Sequence, residues 1–362
     1  MDVIDGSDGP GARCLLLVDR PRGERDEDTR PTKRADTMCT GLSYTTKDHY
    51  FGRNLDLEYS YNETVTVTPR NFPFEFRNIG TLTPHHAIIG IATISDGYPL
   101  YYDAANEKGL GMAGLNFPGN ADYKPEVPVK TNVTPFEFIP WVLGQFETVD
   151  QVEAALSDVN LVDIAFSEAF PLSPLHWIIG DKNRSITVES VKEGLRVYDN
   201  PFGVLTNNPT FEIQAFGLND YMNLSTYPPK NHFSKDISFD IYSRGMGAIG
   251  LPGDLSSASR FAKAVFTRMN SVAGESESES ISQFFHILGS VAQQRGCVHV
   301  GDDDKYEITI YSSCCNTDGG VYYYTTYENS QITGVDMHKE DLEGYALVDF
   351  PLVKGQQVRM QN

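Results

Sequence analysis

A methionine and a cysteine stand together at positions 38 and 39, inside the stretch DTMCTGLSYTTKDHYFGRNLD that covers residues 36–56. A thiol is a strong nucleophile, and an α-amine with a reference pKa of about 7.7–8.0 suits a base that works at neutral pH. If the chain is cut between Met38 and Cys39, or if translation starts at Met38, one residue carries both groups. Position alone favours a small apolar core residue at a strand start, whereas the adjacent methionine favours a nucleophile.

Other short patterns in the chain do not indicate chemistry. Two stretches match G-x-G-x-x-G, at 109–114 and 245–250, but proline and glycine follow each of them where a dinucleotide site needs a helix to begin. The pair His85-His86 lacks a suitably spaced third ligand, so we expect a surface pair and no metal site. The sequence contains no G-x-S-x-G, H-E-x-x-H or P-loop motif.

The elements that must position Cys39 alternate between strand and helix patterns. The pattern predicts a first strand that begins at Cys39, and an acidic, Ser-rich loop over 273–282. Strands are predicted at 42–46, 64–68, 87–94, 175–180, 185–190, 194–198, 306–312, 320–327 and 332–337, and helices at 135–146, 149–159, 257–272 and 281–293. Strands at both ends with helix pairs between them indicate one α+β domain with helices over packed sheets.

Composition bounds the class of protein. The net charge of -20 at pH 7 argues against nucleic acid or an anionic membrane surface as the main partner, since both need clustered Lys and Arg. The five cysteines have no C-x-x-C spacing, and no apolar run is long enough for a secretory signal or a membrane span, so a reduced, cytoplasmic protein is expected. Residues 1–37 hold many charges and no aromatic side chain, which predicts a disordered extension ahead of one domain over 38–362.

Several motifs together resemble one family. Beside MCTGLSYTTKDHYFGRNLD, the similarity covers YYDAANEKGLGMAGLNFPG (101–119), PFEFIPWVLGQ (135–145), PLSPLHWIIGD (171–181), GVLTNNPTF (203–211), YSRGMGAIGLPGDLSSASRF (242–261) and IYSSCCNTDGGVYYYTTYENSQI (310–332). The chain resembles the choloylglycine hydrolases, N-terminal-nucleophile (Ntn) amidohydrolases that include bile salt hydrolases and penicillin V acylases. It is most similar to the bile salt hydrolases of intestinal Gram-positive bacteria.

The resemblance implies a set of catalytic residues, beginning near the nucleophile. Cys39 matches the residue that attacks the amide carbonyl and forms a thioester. Arg53 matches an arginine beside the thiol, where a fixed positive charge favours the thiolate. Asp56 matches the carboxylate that orients the α-amine by a charge-assisted hydrogen bond. Taken alone, the last two could be a surface ion pair worth about 0–1 kcal/mol.

Three further matches complete the implied catalytic set. Asn116 and Asn207 match two asparagines that donate hydrogen bonds to the oxyanion, and Arg260 matches the last member of the constellation. Taken alone, either asparagine could simply cap a turn. Because all of these residues occur in the same order and sequence context as in the family, the functional interpretation of the whole set is favoured.

Fold, reaction and assembly also follow from the resemblance. It implies the αββα four-layer sandwich of the Ntn hydrolases and hydrolysis of the amide that links a bile acid to glycine or taurine. No metal or organic cofactor is implied, and a homotetramer is expected. Conjugated bile acids such as glycocholate and taurocholate would be the substrates, with no stable membrane association.

Residues around the substrate are implied less directly. The resemblance would place Leu55 and the regions near Ile94 and Phe138–Ile139 around an apolar steroid pocket, although ordinary core packing would explain them equally well. Arg244, in YSRGMG, is hypothesised to pair with the carboxylate or sulfonate of the leaving amine. In penicillin V acylases a tyrosine often stands at the position of Asn116, so this residue favours bile salts.

Alternatives stay open on substrate and on turnover. Penicillin V or acyl-homoserine lactones could be hydrolysed, and the preference between glycine and taurine conjugates does not follow from the sequence. The family members most similar to this chain begin at the Met-Cys pair, so residues 1–37 depart from the family pattern. If residues 1–38 stay attached, Cys39 has only an amide nitrogen, and the protein would bind bile salts without turnover.

Overall fold

A computed structural model describes residues 38–301 and 304–362. The extension predicted to be disordered, 1–37, lies outside the described residues. In chain order the strands and helices are β1 (Cys39–Thr45), β2 (His49–Leu57), β3 (Thr64–Thr68), β4 (Phe74–Phe76), β5 (Gly80–Leu82), β6 (Ile88–Ser95), β7 (Tyr98–Asn106), β8 (Gly111–Asn116), β9 (Thr131–Val133), α1 (Phe138–Gln145), α2 (Val149–Leu156), β10 (Val159–Leu161), β11 (Leu175–Gly180), β12 (Ser185–Val191), β13 (Gly194–Asp199), β14 (Val204–Leu205), α3 (Phe211–Gly217), α4 (Ser257–Asn270), α5 (Glu277–Gly289), β15 (Ile308–Asn316), β16 (Val321–Thr326), β17 (Asn329–Asp336) and β18 (Val348–Pro351).

Two antiparallel sheets carry most of these strands. Sheet I has the order β14-β1-β2-β15-β16-β17, and sheet II has the order β13-β12-β11-β8-β7-β6-β3-β18. The strands β4 and β5 form a small hairpin, and β9 pairs with β10 in parallel. The N-terminal strand β1 therefore lies inside sheet I, between β14 and β2.

The two sheets face each other across one apolar layer. Gly41 in β1 lies so close to sheet II that an added Cβ atom would come within 2.9 Å of the Ile178 side chain. Leu115 from β8 also borders this contact. Every residue of β2 is buried, as expected for a strand that is covered on both faces.

Helices cover the outer face of each sheet. Apolar side chains of α4 and α5, including Phe261 and Phe284, belong to the core that contains sheet I. The helices α1 and α2 pack on the outer face of sheet II in a second core with Trp177. The resulting order is helix, sheet, sheet, helix, which is the αββα sandwich that the family resemblance implied.

Many predicted elements match the structure, and the first strand does begin at Cys39. The strands predicted at 64–68 and 175–180 have the same bounds as β3 and β11. Neither glycine pattern opens directly into an α-helix, since β8 begins inside the first and the second contains only the 3₁₀ turn Met246–Ala248. These patterns are therefore not phosphate-binding turns.

Two predictions about local structure need correction. The loop predicted over 273–282 is helical from Glu277, because Ser276 and Glu279 form a capping box that starts α5 earlier than its apolar pattern indicates. The predicted surface pair His85-His86 is only half correct. His85 is buried, and its ring bonds to the carbonyl oxygens of Phe72 and His86.

Candidate active site

Cys39 is held by both of its backbone groups. It is the first residue of β1, it pairs with Leu55 of β2, and it is 3% exposed. Its backbone nitrogen donates to Asn207 Oδ1 at 2.8 Å, and its carbonyl oxygen accepts from Arg260 Nη1 at 2.6 Å. The backbone of Cys39 is therefore held by contacts from two distant parts of the chain.

In the uncut chain Met38 precedes Cys39, and the nitrogen of Cys39 is an amide. The carbonyl oxygen of Met38 accepts from the backbone N–H of Asp56 at 3.1 Å. The backbone N–H of Met38 donates to Glu307 Oε1. Both backbone groups of Met38 are thus hydrogen-bonded.

Arg53 directs its charge into the layer between the sheets. Its Nη1 donates to the carbonyl oxygens of Tyr102, at 3.0 Å, and Gly114 in sheet II. Its Nη2 is buried and has no hydrogen-bond partner among the residues that the structure describes.

The arginine and the burial of Cys39 act on the thiol in opposite directions. Burial raises the pKa of the Cys39 thiol, and the positive charge of Arg53 lowers it. Burial has the larger effect, so the pKa of the thiol in the uncut chain lies above its ordinary value. Arg53 thus lowers the pKa of the Cys39 thiol, as its predicted role requires, but burial outweighs this effect in the uncut chain.

Asp56 lies on the opposite face of β2 from Arg53, because side chains alternate along a strand. Its Oδ1 accepts from the Thr309 hydroxyl at 2.6 Å, and its Oδ2 has no partner within the described part of the chain. Burial raises the pKa of Asp56 to about 6, although the positive charges of Arg260 and Arg53 oppose this effect. The carboxylate form therefore predominates at neutral pH.

Arg260 connects Cys39 to helix α4. Its Nη1 also donates to the Thr40 hydroxyl at 2.7 Å, and its Nη2 donates to Asn207 Oδ1 at 2.7 Å. The guanidinium is fully buried, and burial lowers its pKa. Asp254 accepts from the backbone N–H of Ser256 and from the hydroxyl of Ser259, so it stabilises the first turn of α4, on which Arg260 lies.

The two predicted oxyanion asparagines lie next to each other. Asn207 Nδ2 donates to the backbone carbonyl oxygen of Asn116 at 2.8 Å, while its Oδ1 accepts from Cys39 and Arg260. Asn116 is the last residue of β8. Asn207 contacts Cys39 directly and Asn116 contacts Asn207, and the donation of either side chain to an oxyanion stays a prediction.

Sequence reasoning missed Glu307. This carboxyl group is 2% exposed, and burial together with the negative charges of Asp56 and Glu58 raises its pKa to about 8. The N–H of Met38 and the charge of Arg260 act in the opposite direction. The sequence offered no signal for it, because Glu307 occupies the polar positions of the alternating run YEITIY together with Thr309, a pattern that predicts a solvent-facing side chain.

The residues implied around the substrate are scattered. Leu55 is buried beside Cys39, and Ile94 is half-buried at the end of β6. The implied position of Phe138–Ile139 was wrong, because these side chains pack with Trp141 on the outer face of sheet II, away from the layer that holds Cys39. These two residues begin helix α1, which covers sheet II, so their side chains are buried between the helix and that sheet. Arg244 lies on a surface segment with an exposed side chain.

Two negative findings apply to residues 38–301 and 304–362. No group of three His, Cys, Asp or Glu side chains in this part of the chain is arranged to hold a metal ion. No helix there is long and apolar enough to cross a membrane.

The chain is similar in sequence to known proteins. Residues 39–350 match the family model for linear amide C–N hydrolases of the choloylglycine hydrolase family. The chain is 58% identical over 315 residues to a bile salt hydrolase/transferase of Lactiplantibacillus plantarum, an alignment that covers 87% of this chain and 97% of the relative.

The fold of this chain is also similar to the folds of solved structures. A crystal structure of a variant of conjugated bile acid hydrolase from Clostridium perfringens has a TM-score of 0.84 and 42% identity, covering 90% of this chain and 100% of that chain. Penicillin V acylase from Agrobacterium tumefaciens has a TM-score of 0.68 at 21% identity, covering 87% of this chain and 92% of that chain, and this likeness concerns the fold alone.

Proposed function

This chain belongs to the choloylglycine hydrolase family of linear amide C–N hydrolases, and we propose that it hydrolyses the amide bond of glycine- and taurine-conjugated bile acids with Cys39 as the nucleophile. The observation that carries this proposal is the buried thiol of Cys39 with two arginines, an aspartate and two asparagines around it. The products are a free bile acid and glycine or taurine.

The reaction needs a free amine on Cys39. The amine takes the proton of the thiol, and the sulfur attacks the amide carbonyl carbon to give a tetrahedral oxyanion. Collapse of this intermediate releases glycine or taurine, which takes up the proton, and leaves a thioester. Water then attacks the thioester, which releases the bile acid and restores the thiol. Asn116 and Asn207 are proposed to stabilise the oxyanion.

Acceptors for the amine are available at the site. Asn207 Oδ1 already accepts from the Cys39 nitrogen, and the buried Asp56 Oδ2 has no partner within the described residues. An ammonium group has more N–H donors than an amide, so these two oxygens support the proposed role of Asp56 in orienting the amine.

We infer that the active enzyme lacks the peptide bond between Met38 and Cys39. The carbonyl of this bond is hydrogen-bonded to the backbone N–H of Asp56, and the thiol belongs to the following residue. If residues 1–38 stay attached, the protein is a blocked binder of bile salts.

Amine release tests the proposed function. Wild-type protein, Cys39→Ala and Cys297→Ala are incubated with glycocholate and with taurocholate, and the free amino acid is measured. Cys297 is an exposed free cysteine and serves as the matched control. Release by wild type and Cys297→Ala, but not by Cys39→Ala, is expected. Equal release by all three proteins would contradict the assigned nucleophile.

Penicillin V is included in the same assay as the alternative substrate. Faster release of phenoxyacetate than of glycine or taurine would identify the protein as a penicillin V acylase. Acyl-homoserine lactones are tested in the same way.

We propose that Arg244 pairs with the anion of the leaving amine. Arg244→Ala should raise the KM for both conjugates, while Arg196→Ala, at another exposed arginine, should not.

A second activity is favoured by the name of the relative from Lactiplantibacillus plantarum, a hydrolase/transferase. The thioester on Cys39 can be attacked by a second amine in place of water, which forms a new amide. Adding an excess of another amino acid to the assay should then give a new bile acid conjugate by mass spectrometry.

The assembly and location also belong to this proposal. We propose a cytoplasmic homotetramer. Support for association comes from the exposed apolar side chains in the segment 213–249, which are Ile213, Phe216, Met222, Tyr227, Phe233, Ile237, Phe239, Ile241, Tyr242 and Ile249. Apolar surface of this extent on one segment is typical of protein interfaces.

A further inference from the structure

A buried carboxylate outside the proposed catalytic set lies between the two sheets. Asp103 in β7 is 1% exposed. Three hydroxyl groups of sheet I donate to it: Tyr311 to Oδ1 at 2.6 Å, Ser313 to Oδ2 at 2.9 Å, and Tyr322 to Oδ2. Burial raises the pKa of Asp103, whereas the charge of Arg53 and the hydrogen bonds from these three hydroxyl groups lower it, so the donors and the arginine offset part of the cost of a carboxylate in the core.

The hydrogen-bond network of Asp103 reaches Arg53. Ser313 Oγ, which donates to Asp103, also accepts from the backbone N–H of Arg53 at 3.0 Å. The guanidinium of Arg53 donates to the carbonyl of Tyr102, the residue directly before Asp103. The backbone of Arg53 and the carboxylate are therefore linked through one hydroxyl.

Arg53 has no carboxylate in direct contact within the described residues, since its hydrogen bonds go to the carbonyl oxygens of Asn54, Tyr102 and Gly114. Burial lowers the pKa of Arg53, while the ionisable groups of Cys39 and Tyr311, followed by Asp103 and Asp56, raise it. The two aspartates thus balance its charge over a longer distance. In a buried site such charges are weakly screened, so their number matters.

We propose that Asp103 is a positioning residue whose negative charge sets how strongly the positive charge of Arg53 stabilises the thiolate of Cys39. Two buried arginines, Arg53 and Arg260, are balanced by the two aspartates Asp56 and Asp103. Without the charge of Asp103, one positive charge is in excess beside the thiol. The sulfur then ionises more readily. This inference rests on the proposed role of Cys39 as nucleophile.

The test compares alkylation of Cys39 in wild type and Asp103→Asn. The rate of reaction with iodoacetamide is measured against pH, and the modified peptide is quantified by mass spectrometry. The substitution keeps the size of the side chain and removes its charge. The midpoint of the pH profile should fall by about one unit, which makes alkylation about tenfold faster at a pH below both midpoints. An unchanged or raised midpoint would overturn the proposal.

Asp181→Asn is the matched control. Asp181 is also a buried aspartate with three donors, the backbone N–H groups of Val149, Asn183 and Arg184. None of these donors belongs to the Arg53 network. Its removal should destabilise the fold without moving the alkylation midpoint. A shift of equal size in both variants would mean that loss of any buried aspartate loosens the site, and would contradict the specific role of Asp103.

A folding failure of Asp103→Asn would also be informative. The double variant Asp103→Asn with Arg53→Met removes both charges, so it should fold even if Asp103→Asn does not. Failure of both would contradict the charge balance. The alkylation midpoint does not depend on bile salt turnover, so this experiment can succeed or fail separately from the proposed function.

Discussion

The backbone of Cys39, the proposed nucleophile, is held at both its nitrogen and its oxygen. Asn207 accepts from its nitrogen, and Arg260 donates to its oxygen. The sulfur, by contrast, is acted on by burial and by the charge of Arg53 in opposite directions. At the scale of residues, precise placement therefore comes from hydrogen bonds, and reactivity comes from the balance of charges.

Asn207 should be the asparagine most sensitive to substitution. Asn207→Ala removes the acceptor at the Cys39 nitrogen and a proposed oxyanion donor, so kcat should fall by about 10²–10³. The adjacent Asn208 contacts Pro118 and Asn120 instead of Cys39, so Asn208→Ala is the control and should retain most activity. Comparable losses in both variants would mean that the local loop, and not the asparagine at the nucleophile, was responsible.

Glu307 should make the stability of the uncut chain depend on pH. Its folded-state pKa of about 8 lies above the ordinary value of 4.5, so its favourable contribution is present at low pH and is lost as pH rises through about 8. Glu307→Gln stays neutral and should lose less thermal stability than the parent between about pH 5 and 8. The measurement is the melting temperature against pH in a Cys39→Ala background, in protein whose mass shows that Met38 is retained.

Glu328 provides the control for this comparison because its side chain is exposed in the turn between β16 and β17. Glu328→Gln should follow the parent at every pH. If Glu307→Gln also followed the parent, the buried carboxyl group would already be ionised at low pH, contrary to its assigned environment.

At the scale of elements, the sequence pattern was sufficient to predict the bounds of a strand where the residue types change at both of its ends. β3 and β11 were predicted with correct bounds, because β-branched and apolar residues fill them and turn residues flank them. The start of α5 was not predicted, since Ser276 and Glu279 act through a capping box that the apolar pattern does not contain. Glu307 and Asp103 were missed because their partners come from distant strands.

The first turn of α4 should matter for activity as well as stability. Asp254→Ala removes the acceptor for Ser256 N–H and the Ser259 hydroxyl, which should cost about 1 kcal/mol and loosen Arg260. Ser276→Ala at the start of α5 should cost a similar amount. Of the two, only Asp254→Ala should lower kcat at a temperature where both remain folded. Equal kcat in the two variants would contradict the coupling of this turn to the site.

The whole molecule combines two halves of a site that lie far apart in the chain. Cys39, Arg53 and Asp56 come from the first hairpin of sheet I, while Asn207 and Arg260 follow much later in sequence. The family resemblance gave the members of this set from their motifs. The sequence could not give their distances, because these depend on how the sheets and α4 pack together.

The exposed apolar segment at 213–249 should be required for assembly. The double variant Phe239→Ser with Ile241→Ser removes two exposed apolar side chains, and it should shift the mass in solution from four chains to fewer. Val129→Ser changes an exposed apolar residue outside the segment and should leave the assembly unchanged. Light scattering after size-exclusion chromatography measures both. A tetramer in both variants would place the interface elsewhere.

The central claim is that the thiol and the α-amine of one residue act together. The intact mass of the protein that carries bile salt hydrolase activity tests it most directly, with amine release measured on the same sample. The account predicts an active chain whose mass begins at Cys39. Full activity from a chain whose mass still includes Met38 would contradict the amine as the base.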